Sequence, residues 1–358
     1  MRKHMIVAFL IAFFCGPVVA QPADPIVIEV MQKAVSQFVR PGYETFHNST
    51  KELIRDTKDL CEAPSVESLN RAKETFTGTA KAWAGIELIR FGPVSENNRF
   101  ERILFYPDRK STGLKQVQRI LAKQDESAVA LSRLTGKSVA VQGLGALEFL
   151  LFGTGSEGLA SGDEFRCAYA YTVSQNLAGI AALLSQGWRQ DASATEIWTS
   201  PGPQNAILRT PREAVNELLG TTVHALESIR DIRIGAFLRS EASKDRPRVA
   251  IFRRSENTMN MIHNNIVAVK NLLLVSGAEN LLEQADKPIL DNVIFELENA
   301  ERAAKTISEP IGEAILQPEQ RDRLSYLRVS IGFAIQTLDQ DFASAAGLSS
   351  GFSFSDGD

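Results

Sequence analysis

The sequence predicts an all-α protein made of two helical bundles in series. Apolar residues recur three or four apart along most of the chain, as at Leu69, Ala72, Phe76, Ala80, Trp83 and Ile86. That spacing places them on one face of a helix of about 3.6 residues per turn. Period-two alternation bounded by hairpin turns is scarce, so no sizeable sheet is expected. Between residues 190 and 209, Asp191-Ala192-Ser193 and Ser200-Pro201-Gly202-Pro203 cluster between helices and mark a boundary.

Taken in order, residues 1–20 have the layout of a cleaved secretory signal. Arg2, Lys3 and His4 form a positive start, Met5 to Phe14 an apolar run, and Val18 and Ala20 the small cleavage positions before Gln21. The competing readings are a membrane anchor or a buried helix. Gly16 and Pro17 break the run well short of the roughly 20 apolar residues a bilayer requires. Cys15 raises a lipid-anchored alternative, which the bulky Phe14 before it disfavours.

The apolar pattern from Val66 to Phe91 predicts one helix stopped at Gly92-Pro93, since glycine can cap a helix and proline cannot continue one. Ser161-Gly162-Asp163-Glu164 reads as a capping box opening a helix toward Trp188. Thr210-Pro211-Arg212-Glu213 is a second, with proline at the first helical position. Asp286 and Pro288 open a later helix through Ile294, Leu297 and Ala303, and a last one runs from Pro318 toward Phe342. Four or five helices then fall on each side of the boundary, enough for an antiparallel bundle to bury one apolar face per helix. The expected domains are 21–190 and 191–346, with a disordered tail at 347–358 rich in Gly, Ser and Asp.

Charge and cysteine usage narrow the function. A formal net charge of -4 and a pI near 5.8 argue against a nucleic-acid partner, which would demand a basic excess. Past the signal, no stretch is long and apolar enough to span a membrane. Cys61 and Cys167 remain as an even pair in an oxidising compartment and are expected to bridge, two buried free thiols being the alternative.

Two segments carry candidate chemistry. Trp83-Ala84-Gly85-Ile86-Glu87-Leu88-Ile89-Arg90-Phe91-Gly92-Pro93 leads through Asn98-Arg99 to Tyr106-Pro107-Asp108, mixing charges with aromatics as a cleft lining does. A capped helix with a packed loop accounts for it equally well. In Gly143-Leu144-Gly145-Ala146-Leu147-Glu148-Phe149-Leu150-Leu151-Phe152-Gly153, two glycines precede an apolar turn holding one carboxylate. Glycine inside a helix costs about 1 kcal/mol against alanine, so Gly143 and Gly145 suggest close backbone approach. Glu148 in apolar company needs a partner, for which Arg90, Arg99 or a cation are candidates. A glutamate at the edge of the buried stripe is the plainer alternative.

Together these segments resemble the imelysin-like family of bacterial envelope proteins. The Trp-x-x-x-Glu-x-x-Arg-Phe-Gly-Pro element is matched by Trp83, Glu87, Arg90, Phe91, Gly92 and Pro93. Asn98-Arg99 with Tyr106-Pro107-Asp108, and Gly143 to Gly153, match the two elements after it. The resemblance implies a two-bundle helical fold, export to the periplasm, a link to iron uptake, and a historical peptidase label. It also implies a metal motif, Gly-x-His-x-x-Glu, in which His and Glu three apart share a helix face. Here Gly143 and Glu148 match, but Gly145 stands where the histidine belongs. A catalytic zinc takes three protein ligands, and no His-Glu-x-x-His pattern occurs in the chain. The remaining histidines, His47, His224 and His263, lack companion ligand spacing and each read as surface or core residues; His47, on the first long helix, is the one that could reach Glu148 to share a metal.

No nucleophile elbow is read in the chain: the Gly-x-Ser-x-Gly spacing falls at Gly347 to Gly351, within the tail expected to be disordered. Gly153-Thr154-Gly155-Ser156-Glu157-Gly158 lacks the Gly-Lys ending of a phosphate loop and reads as a flexible connection or lid. Met259 and Met261 behind Arg253-Arg254-Ser255-Glu256 read as packing rather than copper ligands. The expectation is a non-catalytic periplasmic binding protein for iron or another divalent metal, or a small ligand. In it Glu148 is the acidic ligand, Arg90 and Arg99 are its orienting cations, and the cleft lies where the Arg90–Pro93 corner meets the Glu148 helix. A metal-dependent peptidase and an envelope protein-interaction module are the rivals.

Overall fold

The computed structural model describes residues 24–348. The expected signal at 1–20 and the tail beyond Leu348 lie outside them. Among the described residues every regular element is helical. Helix α1 (Asp24–Lys33) continues through a wider-wound turn, Ala34–Val39, into α2 (Arg40–Glu62). Pro41 stands at the start of α2, where the wider turn leaves its missing N–H without consequence. Helix α3 (Val66–Ala84) opens on a reciprocal box, the Ser65 and Ser68 hydroxyls each accepting from the other's backbone N–H at 3.0 Å.

The predicted continuation of α3 to Gly92 does not form. The Ala84 carbonyl accepts from Asn265 Nδ2 at 2.8 Å, and the chain leaves the helix at Gly85 in tight turns. Asn265 lies 181 residues away, so a distant side chain takes a carbonyl that local periodicity assigns to the next helical turn.

Short helices follow: α4 (Arg99–Ile103), α5 (Thr112–Lys123), α6 (Leu131–Leu134) and α7 (Leu144–Phe152). Helix α8 (Glu164–Gly187) is capped by Asp163, which accepts from Arg166 N at 3.1 Å. The cap is therefore two residues later than Ser161, because Gly162 turns the chain at φ +86°. The supposed lid at 153–158 is anchored: Arg166 donates to the carbonyls of Phe149, Leu150 and Thr154 at 2.8–3.0 Å, closing the C-terminal end of α7. After α9 (Ser193–Thr199), α10 (Pro211–Glu227) is capped as expected by Thr210, which accepts from Glu213 N. Helices α11 (Thr258–Ser276), α12 (Pro288–Thr306), α13 (Ile311–Ala314) and α14 (Pro318–Gln336) follow, the last running on through a wider-wound turn, Thr337–Phe342.

Helix α2 lies along α3 and antiparallel to α8. At one end of that pair Cys61 and Cys167 form a disulfide, and at the other Tyr43 stacks on Trp188. In the second half α12 packs on α11 and α14. Helix α1 packs on α10 and α11, and α11 also touches α3, so one cluster of buried apolar side chains runs through both halves. Met259 and Met261 belong to that cluster. No described helix is long and apolar enough to cross a membrane.

Candidate functional site

The start of α7 is fixed by glycine. A Cβ on Gly143 would run into the Arg102 carbonyl and lie 2.5 Å from that of Ile103, so only glycine lets α7 begin against the end of α4. Gly145 is the opposite case. It is exposed, a Cβ there would meet nothing within 4 Å, and the space before it is open. The expectation of close backbone approach therefore holds at Gly143 and is corrected at Gly145.

Three residues after Gly145, on the same helix face, Glu148 is 5% exposed. Its Oε1 accepts from the backbone N–H groups of Arg254 and Ser255 at 2.9 and 3.2 Å, and from Ser255 Oγ at 3.3 Å. The Arg254 guanidinium stands 3.7 Å from Oε2. Those two N–H groups converge because the turn carrying them has positive φ at Phe252 (49°) and Glu256 (55°), a conformation that side-chain-bearing residues rarely adopt. Successive N–H groups so arranged form an anion-binding nest, here filled by the protein's own carboxylate. Burial raises the Glu148 pKa above the ordinary glutamate value, opposed by the Arg254 charge and the two backbone hydrogen bonds.

In front of Gly145 and Glu148 lies a cleft of about 290 Å³. One wall runs from Leu104 to Val117 and includes Tyr106 and Asp108; the other runs from Arg248 to Arg254. Asp108 helps build the first wall: its oxygens accept from Thr112 N (2.7 Å) and Leu114 N (3.1 Å) at the start of α5. The cleft thus gathers Asp108, Gly145 and Glu148 from the two motif segments. It adds Arg248, Arg253 and Arg254, to which the sequence reading assigned no role; two adjacent arginines ahead of α11 were the only local signal.

The Trp83–Pro93 segment goes elsewhere. Glu87 is buried and accepts Arg233 Nη2 on both oxygens at 2.8 Å. The Arg90 guanidinium lies 4.6 Å from the centre of the Phe100 ring. Arg99 donates to Pro93 O at 2.7 Å and pairs with Glu96 at 2.9 Å. Neither arginine lines the cleft; the cation at Glu148 is Arg254, which corrects the expected orienting pair. Trp83 is fully buried between Phe46 and Phe100. Phe91 stacks on Trp198, Gly92 (φ +67°) lies against Trp188, and Pro93 lies against Gly187. The Arg90–Pro93 corner is a packing joint onto the end of α8 and α9, so the expected cleft beside it is corrected to the one bounded by α7 and residues 248–254.

A bare divalent cation does not fit this donor set. Both carboxylates of the cleft already accept hydrogen bonds, and a guanidinium stands beside Glu148. His47, on α2, has Lys51 and Glu44 as its charged neighbours and does not line the cleft. Among the described residues, no three His, Cys, Asp or Glu side chains are grouped to hold a metal ion. The expected Glu148–His47 metal pair is corrected accordingly.

Among solved structures, an imelysin-like protein from Psychrobacter arcticum 273-4 superposes with a TM-score of 0.76 at 16% identity, covering 94% of this chain and all of that one. At so low an identity the likeness carries the fold. Iron-regulated protein A of Synechococcus elongatus is 20% identical over 321 residues, 87% of this chain and 85% of that protein. The family model described as imelysin, peptidase M75, matches residues 39–330. The chain belongs to the imelysin family.

Proposed function

We propose that this chain is an exported, non-catalytic binding protein of the bacterial periplasm that serves the acquisition of iron or another metal, with its ligand in the cleft of Gly145 and Glu148. The observation that carries the reading is the open cleft itself. Two motif segments separated in sequence supply Asp108, Gly145 and Glu148 to one concave surface, and a position that is open by virtue of being glycine faces it. The signal-like segment at 1–20 and the disulfide support export. The name of the Synechococcus relative supports the link to iron. The lack of three grouped ligands among the described residues favours binding over metallopeptidase chemistry. On this reading residues 21–190 and 191–346 are two bundles, the cleft taking one wall from each.

The test is elemental analysis of the full chain purified from the envelope fraction, with a peptide-cleavage assay run with and without chelator. Iron or another metal above background without cleavage is the expected result. Stoichiometric zinc with chelator-sensitive cleavage would establish the peptidase instead. A protein that carries no metal and no small ligand, but crosslinks to an envelope partner, would move the function to an interaction module.

A further inference from the structure

Resting on the reading of the cleft as a binding site, we infer that its ligand is a small polycarboxylate, free or wrapped around a metal as an anionic chelate, rather than a bare cation. The negative groups of the cleft are already engaged. Glu148 fills the Arg254–Ser255 nest, and Asp108 caps α5. The positive groups are not neutralised to the same degree. Arg253 donates Nε to the Arg248 carbonyl at 2.9 Å and has no salt bridge among the described residues. Arg248 is exposed and its guanidinium has neither salt bridge nor hydrogen bond among them. Arg254 has only the 3.7 Å approach to Glu148 and lies 5.3 Å from the centre of the Phe149 ring. Three guanidinium groups therefore share one wall with a single nearby carboxylate.

Arg253 is repelled by both neighbouring guanidinium groups: burial is the largest cause lowering its pKa, the Arg254 charge lowers it further, and Glu148 opposes with a pull larger than the Arg248 repulsion. An anion seated between the walls relieves that repulsion and takes the forked hydrogen bonds for which guanidinium geometry suits a carboxylate. In a chain whose net charge is -4, this concentration of like charge is a local feature, not a reflection of a basic surface. The neighbouring depression of about 380 Å³, which shares Asp108 and Val249 with the cleft, adds Arg109, Arg239 and Arg246 against one further carboxylate, Asp231. At about 290 Å³ the cleft is at the small end of the roughly 300–1,000 Å³ of ligand pockets. It suits a ligand of citrate size, not a peptide of several residues.

The experiment is calorimetric titration of the full mature chain with citrate, iron(III) citrate, and iron(II) or zinc(II) salts alone, at low and high ionic strength. Citrate, its iron chelate, or both should bind, more weakly as salt rises. Arg253→Gln and Arg248→Gln should each weaken binding about tenfold or more, the loss expected for a charge-assisted hydrogen bond. Because Arg248 is exposed, its variant is expected to fold normally, and an unchanged melting curve separates lost binding from lost structure. Gly145→Leu, which fills the open space in front of Glu148, should abolish binding. Binding of the bare cations with citrate inert would overturn the inference and leave the proposed binding function standing. Citrate binding that neither arginine variant nor Gly145→Leu weakens would place the anion elsewhere and overturn it too. Failure of every probe would overturn both readings.

Discussion

Removing Glu87 should destabilise the protein more than removing the arginine bound to it. The pair is buried, the Arg233 and Glu87 side chains being 5% and 8% exposed, and Nη2 donates to both carboxylate oxygens at 2.8 Å. Burial is costly for each ion, so a lone survivor is worse than either the pair or neither. Glu87 also attracts Arg90, an exposed residue whose guanidinium lies over the Phe100 ring. Glu87→Gln therefore strands the buried Arg233 cation, and the cost should be about 3–5 kcal/mol, the range for breaking a buried pair. Arg233→Met leaves Glu87 with Arg90 still beside it. It also removes Nε and Nη1, which are buried without hydrogen-bond partners, at the loss of the 4.7 Å contact with the Tyr106 ring. That loss is about 0.5–2 kcal/mol, so Arg233→Met should cost no more than about half as much as Glu87→Gln. The assay is equilibrium urea unfolding at pH 7 with the slope monitored, so that a shifted midpoint reports stability. A double variant, Glu87→Leu with Arg233→Met, should recover part of the Glu87→Gln loss. The reasoning is refuted if Arg233→Met is the more damaging single change, or if Glu87→Gln costs less than about 1 kcal/mol.

Four further outcomes are expected. Gly145→Ala should raise stability by up to about 0.5–1 kcal/mol, because its Cβ enters open space in a helix where glycine is entropically unfavourable; the melting temperature checks it. Cys61→Ala with Cys167→Ala should lower stability by about 2–5 kcal/mol, since the bridge spans 106 residues and restricts the unfolded chain; unfolding under reducing conditions should give the same loss. Hydrogen bonds from Lys270 and Lys305 depress the Glu301 pKa from 4.5 to about 2. Its contribution is present above pH 4.5 and is lost as pH falls toward 2, so Glu301→Gln should flatten the acid limb of a stability–pH profile. Glu148 has the opposite sign: its pKa is raised, so its ionisation costs stability as pH climbs above the ordinary value, and Glu148→Gln should ease that decline.

Much of the fold was legible because helices announce themselves locally. The three- and four-residue spacing, the Thr210 cap and the prolines at 211, 288 and 318 all act within a turn or two of where they stand. The motif segments were legible as candidates, and Asp108, Gly145 and Glu148 do meet at one cleft. The errors have a common cause. The end of α3, the partner of Glu87 and the cation of Glu148 are set by Asn265, Arg233 and Arg254, which lie 181, 146 and 106 residues away. Local spacing holds no record of such distances.

By itself, then, the sequence determined an all-helical imelysin chain and the two segments of interest, since helix periodicity and capping are short-range physics. Only the tertiary structure decided their roles. Packing buried Glu87 against Arg233 and made the Arg90–Pro93 corner a joint. It also left Gly145 facing open space and brought Arg248, Arg253 and Arg254 to the wall opposite. Burial and the meeting of distant charges arise when helices dock, and they decide whether a charged side chain holds the fold together or faces a ligand.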